Sequence, residues 1–295
     1  MATYVAVFGT DAAWNTTTNW SPNGTPGAND TIIIDNRLTR NITGSPSGSP
    51  QLTRIAQYLN AAYKFGTPAS PIAVGATTVD VGLPSPDGST ATGGEFHISV
   101  GTNSCTLNVY NTPTQGTAGQ EPCTIKTGTP GTSNSLYTYG SAIVGVASGS
   151  AGDTATISTI VAQVNSRINF GVGNTVTWTN IQVCDAATVY TQGGSSGTVT
   201  LFGGSVVSEG TSLIATATIY GGTFFANHRV SGGNSFTTVN MRGGTLDIRG
   251  DGGGITIGTY NWRAGRLRSA QNGQATITTL SLDQDVNAGW TLSVG

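Results

Sequence analysis

Charged side chains are scarce in this 295-residue sequence: Asp, Glu, Lys and Arg together make up 9% of it, against about 25% in an ordinary globular domain. Twelve cations and 14 acids leave a net charge of −2. No overall cation excess exists to collect phosphates, which excludes a general nucleic-acid binder. Cysteine occurs three times, as Cys105, Cys123 and Cys184. That odd number, with no paired spacing, makes neither a disulfide framework nor a zinc site. The two histidines, His97 and His228, each lack a second His or Cys at ligand spacing. No metal or cofactor is expected. Nor is there a run of about 18 apolar residues to span a membrane. The first nine residues lack the basic segment and long apolar stretch of a secretory leader. The expectation is therefore a product that begins in the cytoplasm, and the Asn-x-Ser/Thr sequons at Asn15, Asn19, Asn29 and Asn41 carry no weight.

Thr, Ser, Asn and 43 glycines take the place of charge. Thr is β-branched and suits strands, while Gly and Asn accept the positive φ of tight turns. Hydrophobic residues at 37% still supply a core. A surface with so few charges also points to burial in an assembly.

The most informative feature is a period. TVTLFGGSV (198–206), TATIYGGTF (216–224), TVNMRGGTL (238–246) and TYNWRAGRL (259–267) repeat every 18–22 residues. A degenerate copy follows at 279–283, and weaker ones precede, at 135–146, 157–170 and 175–190. Placed in register, the copies form apolar columns: Val199, Ala217, Val239, Tyr260, Leu280; Leu201, Ile219, Met241, Trp262, Leu282; and Val206, Phe224, Leu246, Leu267. Alternation within each copy marks half-buried strands. The pairs Gly203-Gly204, Gly221-Gly222 and Gly243-Gly244, with Ala264-Gly265, lie between two strand pieces, where a bend needs positive φ or no Cβ. The pattern predicts an all-β chain, a parallel β-helix (β-solenoid) with rungs of about 18–22 residues. A propeller blade needs about 40 residues, and no six-residue spacing recurs. Residues 135–295 read as regular rungs. Residues 1–134 read as a Trp/Pro/Gly-rich cap and an irregular β-rich region, with room for early rungs. There, 51–65 fits both a helical stripe and a strand, and the surroundings favour strand.

The stretch WNTTTNWSPNGTPGANDTIIID (14–35), followed by Thr/Gly-rich rungs with bends like 243–246, resembles a group of β-helical proteins encoded by tailed-phage genomes and some bacteria. The resemblance implies a virion structural protein: a capsid decoration (cement) protein, a head fibre or part of a tail fibre. It would assemble in the host cytoplasm, with the major capsid protein or neighbouring virion subunits as partners. A homotrimer follows by analogy only. Trp14 and Trp20 would cap the open end of the solenoid or dock a partner.

Arg229, Arg242, Arg249, Arg263, Arg266 and Arg268 are half of all cations, in a stretch whose acids are Asp247 and Asp251. A 21-residue rung sets Asp247 beside Arg268 and Arg242 beside Arg263. Arg242, Arg263, Arg266 and Arg268 then form either a solvated face or a basic patch toward an acidic partner.

An enzyme reading needs paired carboxylates about 5–10 Å apart. Asp283/Asp285, Asp247/Asp251, and Glu209 near His228 are the candidates, and all read better as turn or solvated acids. No catalytic residue is assigned. Gly171–Asn174 and Gly252–Gly254 lack the helix and Lys-Ser/Thr of a phosphate loop. A host-glycan-binding fibre is the alternative, with Tyr190, Tyr220, Phe225 and Tyr260 as groove aromatics. A secreted adhesin or polysaccharide-active enzyme would need an export route. Alternation sends His97 to solvent, and an 18-residue separation makes Cys105 and Cys123 neighbours in one column.

Overall fold

The computed structural model describes residues 1–9, 11–88, 93–101, 104–113, 121–127, 133–226, 235–249, 255–268 and 275–283. Among these, the only helical element is a 3-10 turn, Thr17–Asn19; the rest is strand and turn. The chain divides into two compact units, Met1–Ser158 with Ser166–Thr175, and Thr159–Asn165 with Val176–Gly295. Each is a parallel β-solenoid.

In the first unit, strands Thr3–Ala6, Thr31–Ile34, Gln51–Tyr58, Gly75–Leu83, Thr106–Val109 and Ser135–Thr138 stack in parallel. Their register sets Tyr4, Ile32, Ile55, Val79, Leu107 and Leu136 in one column. A second stack runs through Phe96, Cys123, Val144 and Ile168, with Ile98, Ile125, Val146 and Phe170 beside it. Ile42 and Phe65 continue that stack through single bridges. Gln51–Tyr58 is a strand: Leu52 and Ile55 are buried by parallel neighbours, and that burial outweighs the helical stripe.

Rungs in this unit are longer than the 18–22 residues expected, as from Thr106 to Ser135. Cys105 and Cys123, 18 apart, therefore do not stack. Cys123 lies between Phe96 and Val144, whereas the Cys105 carbonyl accepts the Ser135 N–H in the other stack. Both thiols are pushed up to about 12 by burial and are free. The stacking of Ser135–Thr138 on Thr106–Val109 also carries the ladder straight across position 134.

The N-terminal segment folds over aromatic rings. Trp20 Nε1 donates to the Trp14 carbonyl at 2.7 Å. The two indoles meet edge-on at 4.8 Å, Trp20 meets Phe8 at 5.0 Å, and Trp14 meets Phe65 at 6.4 Å. Phe65 in turn stacks on Phe96. Such edge-on pairs add to the area they bury.

In the second unit the expected columns are present, buried through Tyr260 and Trp262, whereas Leu280 and Leu282 on the last described rung are exposed. Ile181, Val199, Ala217, Val239, Tyr260 and Leu280 stand opposite one another, as do Val183, Leu201, Ile219, Met241, Trp262 and Leu282. Val189, Val206, Phe224, Leu246 and Leu267 form the column beyond the bend. The two residues of each bend have different reasons to be glycine. Gly244 is left-handed at φ +62, as Gly204, Gly222 and Gly265 are in their rungs. Gly243 instead lies against the rung below, where a Cβ would sit 2.2 Å from the Tyr220 carbonyl oxygen.

Candidate functional site

Residues that alternate with the buried columns point outward and stack in columns of their own. On the second unit, Gln182, Thr200, Thr218, Asn240, Asn261 and Ser281 form one such column. Its amides are linked: Asn240 Nδ2 donates to Thr218 Oγ1 at 3.3 Å, and Asn261 Nδ2 to Asn240 Oδ1 at 2.8 Å. One residue after the Leu201–Leu282 column comes a second outward series: Phe202, Tyr220, Arg242, Arg263 and Asp283. Phe202 and Tyr220 are about half exposed, and their rings stack at 5.1 Å and 8°.

Between these two series, where they carry Asn240, Asn261 and Ser281 on one side and Arg242, Arg263 and Asp283 on the other, lies a groove of about 380 Å³. Met241, Trp262 and Leu282 lie between the two sides. Arg263 Nε is 3.7 Å from Asp283 Oδ2, with both side chains half exposed; solvent screening makes such a pair weak. Arg242 is exposed and has no ion-pair partner among the described residues. It stands opposite Ala264 rather than Arg263, because the register is irregular between Met241 and Thr245. The direct like-charge stack is thereby avoided.

The other two arginines follow the bend. Arg268 lies opposite Asp247, with Nη1 3.8 Å from Oδ2. Arg249, which the rung spacing did not point to, holds Asp247 more closely. Its Nη2 donates at 2.6 Å, and its Nε and backbone N–H also bond the carboxylate. Burial pushes the Asp247 carboxyl up, but the Arg249 hydrogen bonds and both arginine charges outweigh it, leaving the group below the usual carboxylate range. The same Asp-x-Arg hook recurs at Asp35 and Arg37. Arg266 is exposed opposite Thr245. Arg242, Arg263, Arg266 and Arg268 thus fall on two sides of the bend rather than in one patch.

No family model, curated protein or solved structure matches the chain. The surface has to be read from its own chemistry.

Trp14 and Trp20 are 1% and 0% exposed, so neither ring is offered to a partner. Of the groove aromatics expected from sequence, Tyr220 is exposed but Tyr260 is fully buried in the Val199–Leu280 column. Tyr190 and Phe225 lie beyond the bend, in the column that includes Asp247. Phe202 was missed, although its place one residue after Leu201 makes it readable. Among the paired acids, Asp251 and Asp285 lie outside the described residues, as do His228, Arg229 and Gly252–Gly254. Glu209 accepts a hydrogen bond from Gln192 Nε2 at 3.1 Å. Gly171–Asn174 is a turn that leads into strand Thr175–Val183.

His97 is not solvent-facing. It is 0% exposed, with Nδ1 2.9 Å from Thr124 Oγ1 and Nε2 3.2 Å from Glu95 Oε2. Glu95 Oε1 is held by Lys64 Nζ at 3.1 Å. Alternation gives the face of a sheet, not whether that face is covered. Burial outweighs the Glu95 partner and holds the imidazole below its ordinary pKa. Among the described residues, no three His, Cys, Asp or Glu side chains converge on a metal position, and no helix is long and apolar enough to cross a membrane.

Proposed function

We propose that this chain is a non-enzymatic virion structural protein, of the kind that decorates and cements the outer surface of a tailed-phage head. Two things support the reading. The 14–35 stretch and the glycine-bend rungs resemble such proteins. The solenoid of the second unit is also a stiff strut, because its rungs are paired by backbone hydrogen bonds and turn at glycines such as Gly204, Gly222 and Gly243, where a Cβ would meet backbone of the neighbouring rung.

The observation that carries the docking role is the edge after the last described bends. Among the described residues there, Asp247 is the one carboxylate facing Arg249 and Arg268, with Arg266 exposed nearby in the same strand as Arg268. Counted over its described residues, the edge is net cationic on a chain of net charge −2. It complements an acidic surface on the major capsid protein or a neighbouring copy, and a trimer around a three-fold axis is the oligomer proposed.

Co-sedimentation with heads of the encoding phage tests the reading. Purified chain should bind stripped heads to a saturating, symmetry-related stoichiometry. Arg266→Glu with Arg268→Glu should lower that occupancy and its salt dependence. A chain that stays in the supernatant at every salt concentration overturns the proposal.

A further inference from the structure

Before the bend, the outer face of the second unit carries a different arrangement, and its chemistry does not depend on attachment to a particle. Phe202, Tyr220, Arg242, Arg263 and Asp283 succeed one another from rung to rung. Adjacent rungs are about 4.8 Å apart, so the series runs for about 19 Å along the solenoid axis. It begins with an exposed stacked pair of aromatic rings and continues with two exposed guanidinium groups. Alongside lies the neutral column with Thr218, Asn240 and Asn261, and the 380 Å³ groove separates the two over the arginine rungs.

We infer that this face binds an acidic polysaccharide lying along the solenoid axis. A repeating surface fits a repeating ligand. The aromatic pair supplies apolar area for the C–H faces of sugar rings. The amide and hydroxyl column offers donors and acceptors to sugar hydroxyls. Arg242 and Arg263 present planar forks that match carboxylates of uronate or sialate residues. Arg263 is available for this because its 3.7 Å contact with exposed Asp283 is long and screened, so a ligand carboxylate can displace it.

A single-stranded nucleic acid also uses aromatics and cations. Here, however, the series offers two cations and ends on a carboxylate. Against a ligand with a phosphate at every residue, that charge count is poor; against one with an acid on some sugars, it is complementary.

Native affinity electrophoresis of the full chain tests the inference, with hyaluronan, unsulfated chondroitin or partly methyl-esterified pectin cast in the gel, polymers with an acid on only some sugars, and neutral dextran as control. At low salt, at least one acidic polymer should retard the chain while dextran does not. Arg242→Gln with Arg263→Gln should weaken retardation at least tenfold at an unchanged melting temperature, since both side chains are exposed. Tyr220→Ala should weaken it several-fold with the salt dependence kept. Arg266→Gln with Arg268→Gln should leave it as it was, which separates this face from the particle-docking edge. The inference is overturned if none of the three acidic polymers retards the chain. It is equally overturned if the Arg242/Arg263 variant binds as the parent does, if the Arg266/Arg268 variant is the one that loses binding, or if oligo(dT) binds more tightly than every acidic polysaccharide.

Discussion

Gly243 packs on Tyr220 of the rung below so closely that a Cβ on the glycine would stand 2.2 Å from the tyrosine carbonyl oxygen. The contact is with backbone that is itself bonded to the rung below, through the Tyr220 N–H and the Leu201 carbonyl. Neither partner can move alone. Gly243→Ala should therefore lower stability by more than about 1 kcal/mol, and Gly243→Val by more. Ala264 holds the equivalent place one rung on, where the register is irregular, so Ala264→Gly should be close to neutral. Chemical denaturation of the variants checks the contrast.

Trp262 tests the buried column. It is 9% exposed and meets Tyr260 edge-on at 6.0 Å. Trp262→Ala should open a cavity and cost roughly 3–5 kcal/mol. An unchanged unfolding midpoint would place the indole on the outside of the rung.

Asp247 sets an acid limit. Its folded pKa lies below the ordinary carboxyl value of 3.8. The stability it contributes is complete above that value and is lost as pH falls through the lower folded pKa. A melting series below pH 4 should show a shallower decline for Asp247→Asn than for the parent, alongside a lower starting stability.

His97 acts nearer neutrality. Its folded pKa lies below the ordinary 6.5, so the unfolded chain takes up the proton first. His97 contributes no pH dependence well above 6.5, and stability falls as pH drops below that value toward the folded pKa. Melting temperatures across pH 5–8 should follow this direction, and His97→Gln should flatten the slope. An imidazole that titrates above 6.5 in the folded chain, followed by NMR, contradicts the assignment.

The second unit was legible because its rungs differ little in length and each column keeps one chemical character, as Leu201, Ile219 and Met241 do. The first unit was less so. Its rungs run longer and vary, as the steps from Thr31 to Arg54 and from Thr106 to Ser135 show, so spacing alone misplaced Cys105 beside Cys123. Periodicity likewise says which way a side chain points without saying what lies over it, which hid the burial of His97. The arginines were visible as a cluster. Their division across the bend was not, because it depends on which side of Gly265 each one falls. Phe202 and the Asp-x-Arg hooks were readable at one- and two-residue spacing, which a search at the rung period passes over.

The central claim is that successive rungs of the second unit lie in register around a dry interior. Methyl-labelled NMR tests it most directly. The account predicts strong cross-relaxation between Leu201 and Ile219 methyls and between Ile219 and Met241 methyls, with little between Leu201 and Met241, one rung further away. Absence of both neighbouring contacts, or a strong direct contact between Leu201 and Met241, would contradict it.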